Sequence, residues 1–284
     1  MPRPGARTPL LALALAMVGV VVGVVAAAVL PALPAQASSE GRYAGTAALP
    51  GCSGAVIRWP GALDTDRAVV LTNGHCVRVP FLDAREVLVG ERRRTRIDLL
   101  DGDGRVATTV RAVRLQYATM FRTDVAVLSL RETYADLAAD GVIPLVLATQ
   151  GPARGDRVRI PSGYWTEQRT CRTRGTAYRL HEQVWDWSRS IRLPARDGCR
   201  IRGGYSGSPI VDRGTGLVVG VANTGYAGGR ECVDSACEED RRGHVVTRRQ
   251  MNYGQQTALL LGCLAEGRTL DLDVPGCRLP KPRD

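Results

Sequence analysis

Gly203-Gly204-Tyr205-Ser206-Gly207-Ser208-Pro209 sets one hydroxyl among residues that have little or no side chain. Glycine accepts the backbone angles of a sharp turn and lets another backbone come close, so Ser206 reads as a hydroxyl presented at a tight turn. Two stretches upstream each put one polar side chain beside residues that read as buried strand. They are Leu71-Thr72-Asn73-Gly74-His75-Cys76 and Thr123-Asp124-Val125-Ala126-Val127-Leu128. An alcohol near neutral pH is a poor nucleophile unless a positioned imidazole takes its proton, and that imidazole needs a fixed tautomer. A histidine, an aspartate and a serine, in that chain order, are the minimal set for this chemistry. Ser206 is the candidate nucleophile, His75 the candidate base, and Asp124 the carboxylate that would orient it.

The surrounding pattern is short strands between turns. Residues 68–72, 87–90, 107–115, 125–130, 157–160, 168–178, 188–193, 208–211, 217–222 and 244–247 all read as strands, several alternating apolar with polar residues. Turn signals such as Asp101-Gly102-Asp103-Gly104 separate them. Regularly spaced short strands favour barrels or sandwiches over a βαβ fold. One helix is expected near the end, over 255–264, with Leu259, Leu260 and Leu264 facing inward.

Three motifs in this order resemble the chymotrypsin/trypsin-like serine peptidases, and more closely their secreted bacterial branch, which includes glutamyl endopeptidases. The resemblance runs roughly from Cys52 to Tyr253. It implies an all-β fold of two packed six-stranded antiparallel β-barrels, followed here by the C-terminal helix, with the site in the cleft between them. Residues 38–140 would form the N-terminal barrel carrying His75 and Asp124. Residues 141–284 would form the C-terminal barrel carrying Ser206, the helix and a tail. The implied reaction is hydrolysis of peptide bonds in polypeptide substrates through an acyl-enzyme. The amides of Gly204 and Ser206 would form the oxyanion hole.

The same resemblance implies a disulfide beside the base, Cys52–Cys76. Sequential pairing then gives Cys171–Cys199, Cys232–Cys237 and Cys263–Cys277, although eight cysteines allow 105 pairings. Eight cysteines fit an oxidising compartment. There is no Cys-x-x-Cys and the three histidines lie far apart, so neither a metal nor another cofactor is expected. Arg3 and Arg7 precede an apolar run from Leu10 to Leu33, and Ala35-Gln36-Ala37 offers a signal-peptidase site. Residues 1–37 are therefore expected to be a signal peptide of a secreted protein, without stable membrane association once cleaved. The length of the run would make a membrane anchor if it were retained. Cleavage removes two arginines and no acid, taking the formal charge from +10 to +8. Lys281 is the only lysine, so the positive charge is almost all arginine. That bias fits a GC-rich genome as well as an arginine-rich surface for anionic partners. No nucleic-acid partner is expected, and a monomer is. The run Glu91-Arg92-Arg93-Arg94-Thr95-Arg96 reads as a solvated loop or an anionic-surface contact.

Substrate preference is thinly written. Six residues before Ser206, where trypsin's primary pocket has its acid, stands Arg200. It would repel basic side chains or point into solvent. The position matching the substrate-binding histidine of glutamyl endopeptidases is Ala222, which undercuts glutamate specificity. The strand Ala222-Asn223-Thr224-Gly225 would still line the pocket and pair with substrate backbone. Beside the nucleophile, Tyr205 replaces the aspartate that pairs with a new N-terminus in trypsin-type zymogens, so that switch is not expected. Two other readings compete: a catalytically idle binding protein of the same fold, and an esterase using Ser206, Asp234 or Asp240, and His244. The second lacks the final glycine of Gly-x-Ser-x-Gly and any βαβ alternation.

Overall fold

The computed structural model describes residues 41–196, 198–266 and 268–283; the expected signal segment, residues 1–37, lies outside them. The first sheet is built from β1 (Thr46–Leu49), β2 (Cys52–Arg58), β3 (Arg67–Thr72), β4 (Val87–Leu100), β5 (Val106–Thr119), β6 (Val125–Thr133) and β7 (Leu145–Val146). Its order is β1-β4-β5-β6-β3-β2-β7, and β1 also pairs with β2, which closes six strands into a barrel. β7 joins β2 in parallel at the margin.

The strands that follow are β8 (Arg157–Ser162), β9 (Glu167–Arg172), β10 (Arg179–Glu182), β11 (Trp185–Ser188), β12 (Ile191–Pro194), β13 (Pro209–Asp212), β14 (Val218–Gly225), β15 (Cys237–Glu239), β16 (Val245–Val246) and β17 (Met251–Gln256). Six form a second sheet in the order β12-β17-β14-β13-β8-β9, and a four-stranded sheet runs β11-β10-β15-β16. The margins of the six-stranded sheet approach each other. The Arg174 amide donates to the Arg192 carbonyl and the Arg192 amide to the Gly175 carbonyl, both at 2.9 Å.

Burial explains the runs of consecutive apolar residues. In β3, Ala68 and Val70 point into one core, while Val69 and Leu71 point into another. The second core also contains Ile57, Tyr117 and Val127 of the first sheet and Val211, Val218 and Val221 of the second. β3 is thus covered on both faces, one filling the closed barrel and the other packing against the second sheet, which removes the need for a polar face. A third core, with Val158, Ile160, Ile191, Leu193, Ile210 and Val219, fills the second sheet.

Several expectations are corrected here. The helix expected over 255–264 is the single turn α2 (Ala258–Leu261), numbered after α1 (Tyr134–Ala139). Gln255 and Gln256 instead end β17, and the buried Gln255 amide donates to Ser190 Oγ at 3.1 Å. The span 188–193 is two strands, because Arg189 turns the chain with φ 54°. The strand expected over 168–178 stops at Arg172. The arginine run 91–96 is not a loop but lies within β4, paired to β5. Four disulfides join Cys52 to Cys76, Cys171 to Cys199, Cys232 to Cys237 and Cys263 to Cys277. Among the described residues, no helix is long and apolar enough to cross a membrane.

Candidate active site

β3 ends at Thr72 and passes through Asn73 into a single 3-10 turn, Gly74–Cys76, that presents His75. The turn lies hard against the end of β5 and against Asp124. A Cβ on Gly74 would fall 2.1 Å from the Thr119 carbonyl oxygen, so no larger residue fits. Asp124 is fully buried just before β6. Its carboxylate accepts the His75 amide on Oδ1 at 3.1 Å and the His75 ring on Oδ2 at 2.6 Å. The Asn73 side-chain amide donates to the Asp124 carbonyl at 2.7 Å, fixing the same segment from the other side. Because the carboxylate can only accept, Nδ1 carries the imidazole proton and Nε2 is left as a free base. Burial works against a charged His75, but the Asp124 charge and hydrogen bond, with the charge of Glu182, outweigh it and raise its pKa above the ordinary 6.5.

Ser206 comes from the second half of the chain, in the loop between β12 and β13. Gly204 and Gly207 have φ of 89° and 81°, values that L side chains rarely adopt. A Cβ on Gly207 would lie 2.1 Å from both the Ser53 carbonyl oxygen and Thr72 Oγ1. The loop is tied directly to β2. The Ser53 amide donates to the Ser206 carbonyl and the Ser53 hydroxyl to the Gly204 carbonyl, each at 2.8 Å. Thr72 Oγ1 in turn donates to the Ser53 carbonyl at 2.7 Å. The amides of Tyr205, Gly207 and Ser208 donate to backbone carbonyls, whereas those of Gly204 and Ser206 have no acceptor among the described residues.

A second tie runs through Tyr205 and the cleft-lining residues Arg202 and Gly203. Tyr205 is buried and its hydroxyl donates to Glu167 Oε2 at 3.2 Å. Arg202 pairs with Glu167 Oε1 at 2.9 Å and stacks 4.2 Å from the centre of the Trp165 ring. Trp165 Nε1 donates to the Gly203 carbonyl at 2.7 Å. The position next to the nucleophile candidate is thus anchored by a half-exposed glutamate.

His75, Ser206, Asn223, Thr224 and Gly225 line one cleft of about 300 Å³, with Asp124 behind His75. The Ser206 hydroxyl points to the Asn223 carbonyl, 3.4 Å away, and among the described residues no hydrogen bond joins it to the His75 ring. Catalytic contacts of this kind commonly tighten only when substrate binds. Arg200 is exposed and outside the cleft lining, where Ile201, Arg202 and Gly203 stand instead. Ala222 is buried beneath the lining, its amide donating to the Ser208 carbonyl at 2.9 Å. His244 is exposed, pairs with Asp240 at 3.2 Å and is absent from the lining, as are Asp234 and Asp240. The esterase set therefore does not converge on Ser206.

Sequence reasoning missed Glu182, which ends β10 and reaches the cleft beside His75. Burial pushes its carboxyl above the ordinary range, against a hydrogen bond from the Thr224 hydroxyl and the charge of His75. It also missed Phe81 in the aromatic wall of the cleft, although Trp185 and Trp187 read from the sequence as core or cleft-rim aromatics. Phe81 meets the His75 ring edge-on at 5.5 Å and Trp185 at 5.9 Å. The alternation Trp185-Asp186-Trp187-Ser188 was a usable strand signal for this wall; Glu182 had none. Cys52, Cys76 and His75 place their ligand atoms within 4.8 Å, but both sulfurs are in a disulfide and offer no thiolate.

A family model described as a trypsin-like peptidase domain matches residues 52–221. Similar solved structures include the MamO protease domain from Magnetospirillum magneticum, 14% identical over 78% of this chain and 97% of that one, with a TM-score of 0.47. The protease Anisep from Arthrobacter nicotinovorans is 15% identical over 77% and 91%, with a TM-score of 0.46. A Glu endopeptidase is 16% identical over 78% and 88%, with a TM-score of 0.43. No curated protein matches the sequence.

Proposed function

Because the chain belongs to the trypsin-like peptidase family, we propose that it is a secreted serine endopeptidase acting through an acyl-enzyme. The observation that carries this reading is the buried Asp124 holding the His75 ring at 2.6 Å in the cleft that Ser206 also lines. His75 Nε2 takes the proton of Ser206 Oγ as that oxygen attacks the scissile carbonyl. The negative charge forming on the carbonyl oxygen meets the free amides of Gly204 and Ser206. His75 then gives its proton to the leaving amine, and a water activated by the same ring hydrolyses the acyl-enzyme. Substrate backbone would lie along Asn223-Thr224-Gly225, at the cleft side of β14. Four disulfides support export to an oxidising compartment.

One observation favours a second reading, a binding protein that no longer turns over: the Ser206 hydroxyl faces Asn223 rather than His75. Fluorophosphonate labelling separates the two. The peptidase reading expects one adduct, on Ser206, lost in Ser206→Ala and kept in His244→Ala. An unlabelled protein that is folded by circular dichroism supports the idle reading.

A further inference from the structure

Away from the cleft, a cavity of about 500 Å³ is lined by Arg157, Arg172, Arg174, Arg196 and Arg213, together with Thr170, Cys171, Thr173 and Pro194. The five arginines come from separate segments that the fold draws together. Arg157 and Arg172 are register partners on β8 and β9. Arg213 follows β13, and its amide donates to the Arg157 carbonyl at 2.9 Å. Arg174 follows β9, its amide bonded to the Arg192 carbonyl of β12. Arg196 sits in the turn after β12, which closes through the Cys199 amide donating to the Arg196 carbonyl and is pinned to β9 by Cys171–Cys199.

None of the cavity-lining residues is acidic. Among the described residues, none of the five guanidinium groups has a carboxylate partner; only Arg172 is engaged, donating to the Gly155 carbonyl at 2.8 Å. The acids nearest in sequence are largely committed: Asp156 accepts the Ala153 amide, and Asp212 accepts the amides of Gly214 and Thr215. Even counting Asp156, Asp197 and Asp212 in full, positive groups outnumber negative ones five to three. Elsewhere this chain pairs its arginines readily, as at Arg192, Arg202 and Arg248. All five side chains are exposed, so water and salt soften their mutual repulsion, but five positive charges without a carboxylate partner around one concavity still make a local field that attracts an anion.

We propose that this basin is a binding site for a compact multivalent oxyanion carrying two or more phosphate or sulfate groups. The guanidinium fork matches tetrahedral oxyanions bidentately. The concavity is open to solvent, but its volume is one usual for small-ligand pockets, which suits a compact anion. The site is independent of the chemistry at Ser206.

Tripolyphosphate is the probe for the phosphate arm and a disulfated disaccharide for the sulfate arm, each titrated by calorimetry into the full secreted chain. At least one is expected to bind with a 1:1 stoichiometry, weakening steeply as salt rises. Arg157→Gln with Arg213→Gln is expected to lower affinity by about tenfold or more, a change of about 1.4 kcal/mol. Arg92→Gln with Arg94→Gln removes the same charge from the β4 hairpin and is expected to change it less than about threefold, since remote surface charge is screened. An equal loss in both double variants overturns the site, because net charge alone would then explain binding. Failure of both probes overturns it, and so does binding confined to a single-stranded oligonucleotide, which would make this an extended polyanion surface.

Discussion

Ser53→Ala tests whether the loop bearing Ser206 is held in place from the opposite barrel. Ser53 is fully buried in β2, and its hydroxyl makes three contacts: it donates to the Gly204 carbonyl at 2.8 Å, is hydrogen-bonded to the Ser162 hydroxyl at 2.9 Å, and accepts the Tyr164 amide at 3.2 Å. Alanine fits the same space, so no cavity of consequence opens and no atom clashes. The backbone bond from the Ser53 amide to the Ser206 carbonyl survives, which isolates the side-chain contribution. A net hydrogen bond is worth about 0.5–1.5 kcal/mol, so losing the three together is expected to cost about 1.5–4.5 kcal/mol. Urea denaturation measures it as a lower midpoint at unchanged slope. A second readout is more specific. Gly204 and Ser206 carry the amides proposed to receive the oxyanion, so loosening Gly204 should lower kcat more than it raises KM on a fluorogenic peptide. A midpoint shift worth less than about 0.5 kcal/mol refutes the reasoning outright, since that is the size of an ordinary surface substitution. A full stability loss with unchanged kcat refutes the coupling to the loop.

Asp124→Asn retains the shape but can present an amide to His75 Nδ1, favouring the wrong tautomer; kcat should fall by about 10⁴-fold with the fold intact, measured by active-site titration and circular dichroism. The His75 pKa lies above 6.5, so kcat/KM should rise with pH through that higher value, and Glu182→Gln, which removes one cause of the elevation, should move the acid limb to lower pH. An unmoved limb would contradict the electrostatic contact. The stability linked to His75 is complete below pH 6.5 and lost as pH rises through the elevated value, because folding favours the protonated ring. Glu238 behaves oppositely. Burial alone would raise its pKa, but Arg192, Arg248 and Tyr253 bond the carboxylate and hold it below the ordinary 4.5. Its contribution is therefore present above pH 4.5 and lost as pH falls through the lowered value. Glu238→Gln leaves two arginines facing a neutral group and should cost about 3 kcal/mol at pH 7, read as a thermal shift that shrinks in acid.

The legible part of the fold was the part governed by local pattern. Val69 to Leu71 and Val125 to Leu128 read as strands because β-branched and aliphatic residues crowd there, and these are strands buried on both faces. What local pattern misjudged was length. The expected strand 87–90 extends to Leu100, because the side chains of Glu91, Arg92, Arg94 and Arg96 are exposed, where charge does not oppose backbone pairing with β5. The short helix fails for a related reason. Leu259, Leu260 and Leu264 have helical spacing, but Gln255 and Gln256 belong to a ladder with β14 that begins many residues earlier, and tertiary pairing overrides local periodicity.

At the site the same division holds. His75, Asp124 and Ser206 announced themselves because each is a polar residue where the surrounding pattern demands an apolar or small one. Glu182, Glu167 and Ser53 did not, because each acts across long sequence separations and sits in unremarkable surroundings. Ser53 contacts Gly204 across 151 positions and Glu167 contacts Tyr205 across 38. Such residues are chosen by what the folded chain brings beside them. Cys52 shows the consequence, since the disulfide to Cys76 places β2 beside His75 while the next residue, Ser53, grips the Ser206 loop. Two adjacent residues of one strand thereby set both halves of the cleft against each other. A change at either should therefore disturb the His75–Ser206 geometry even though neither can donate, accept or attack in the proposed reaction.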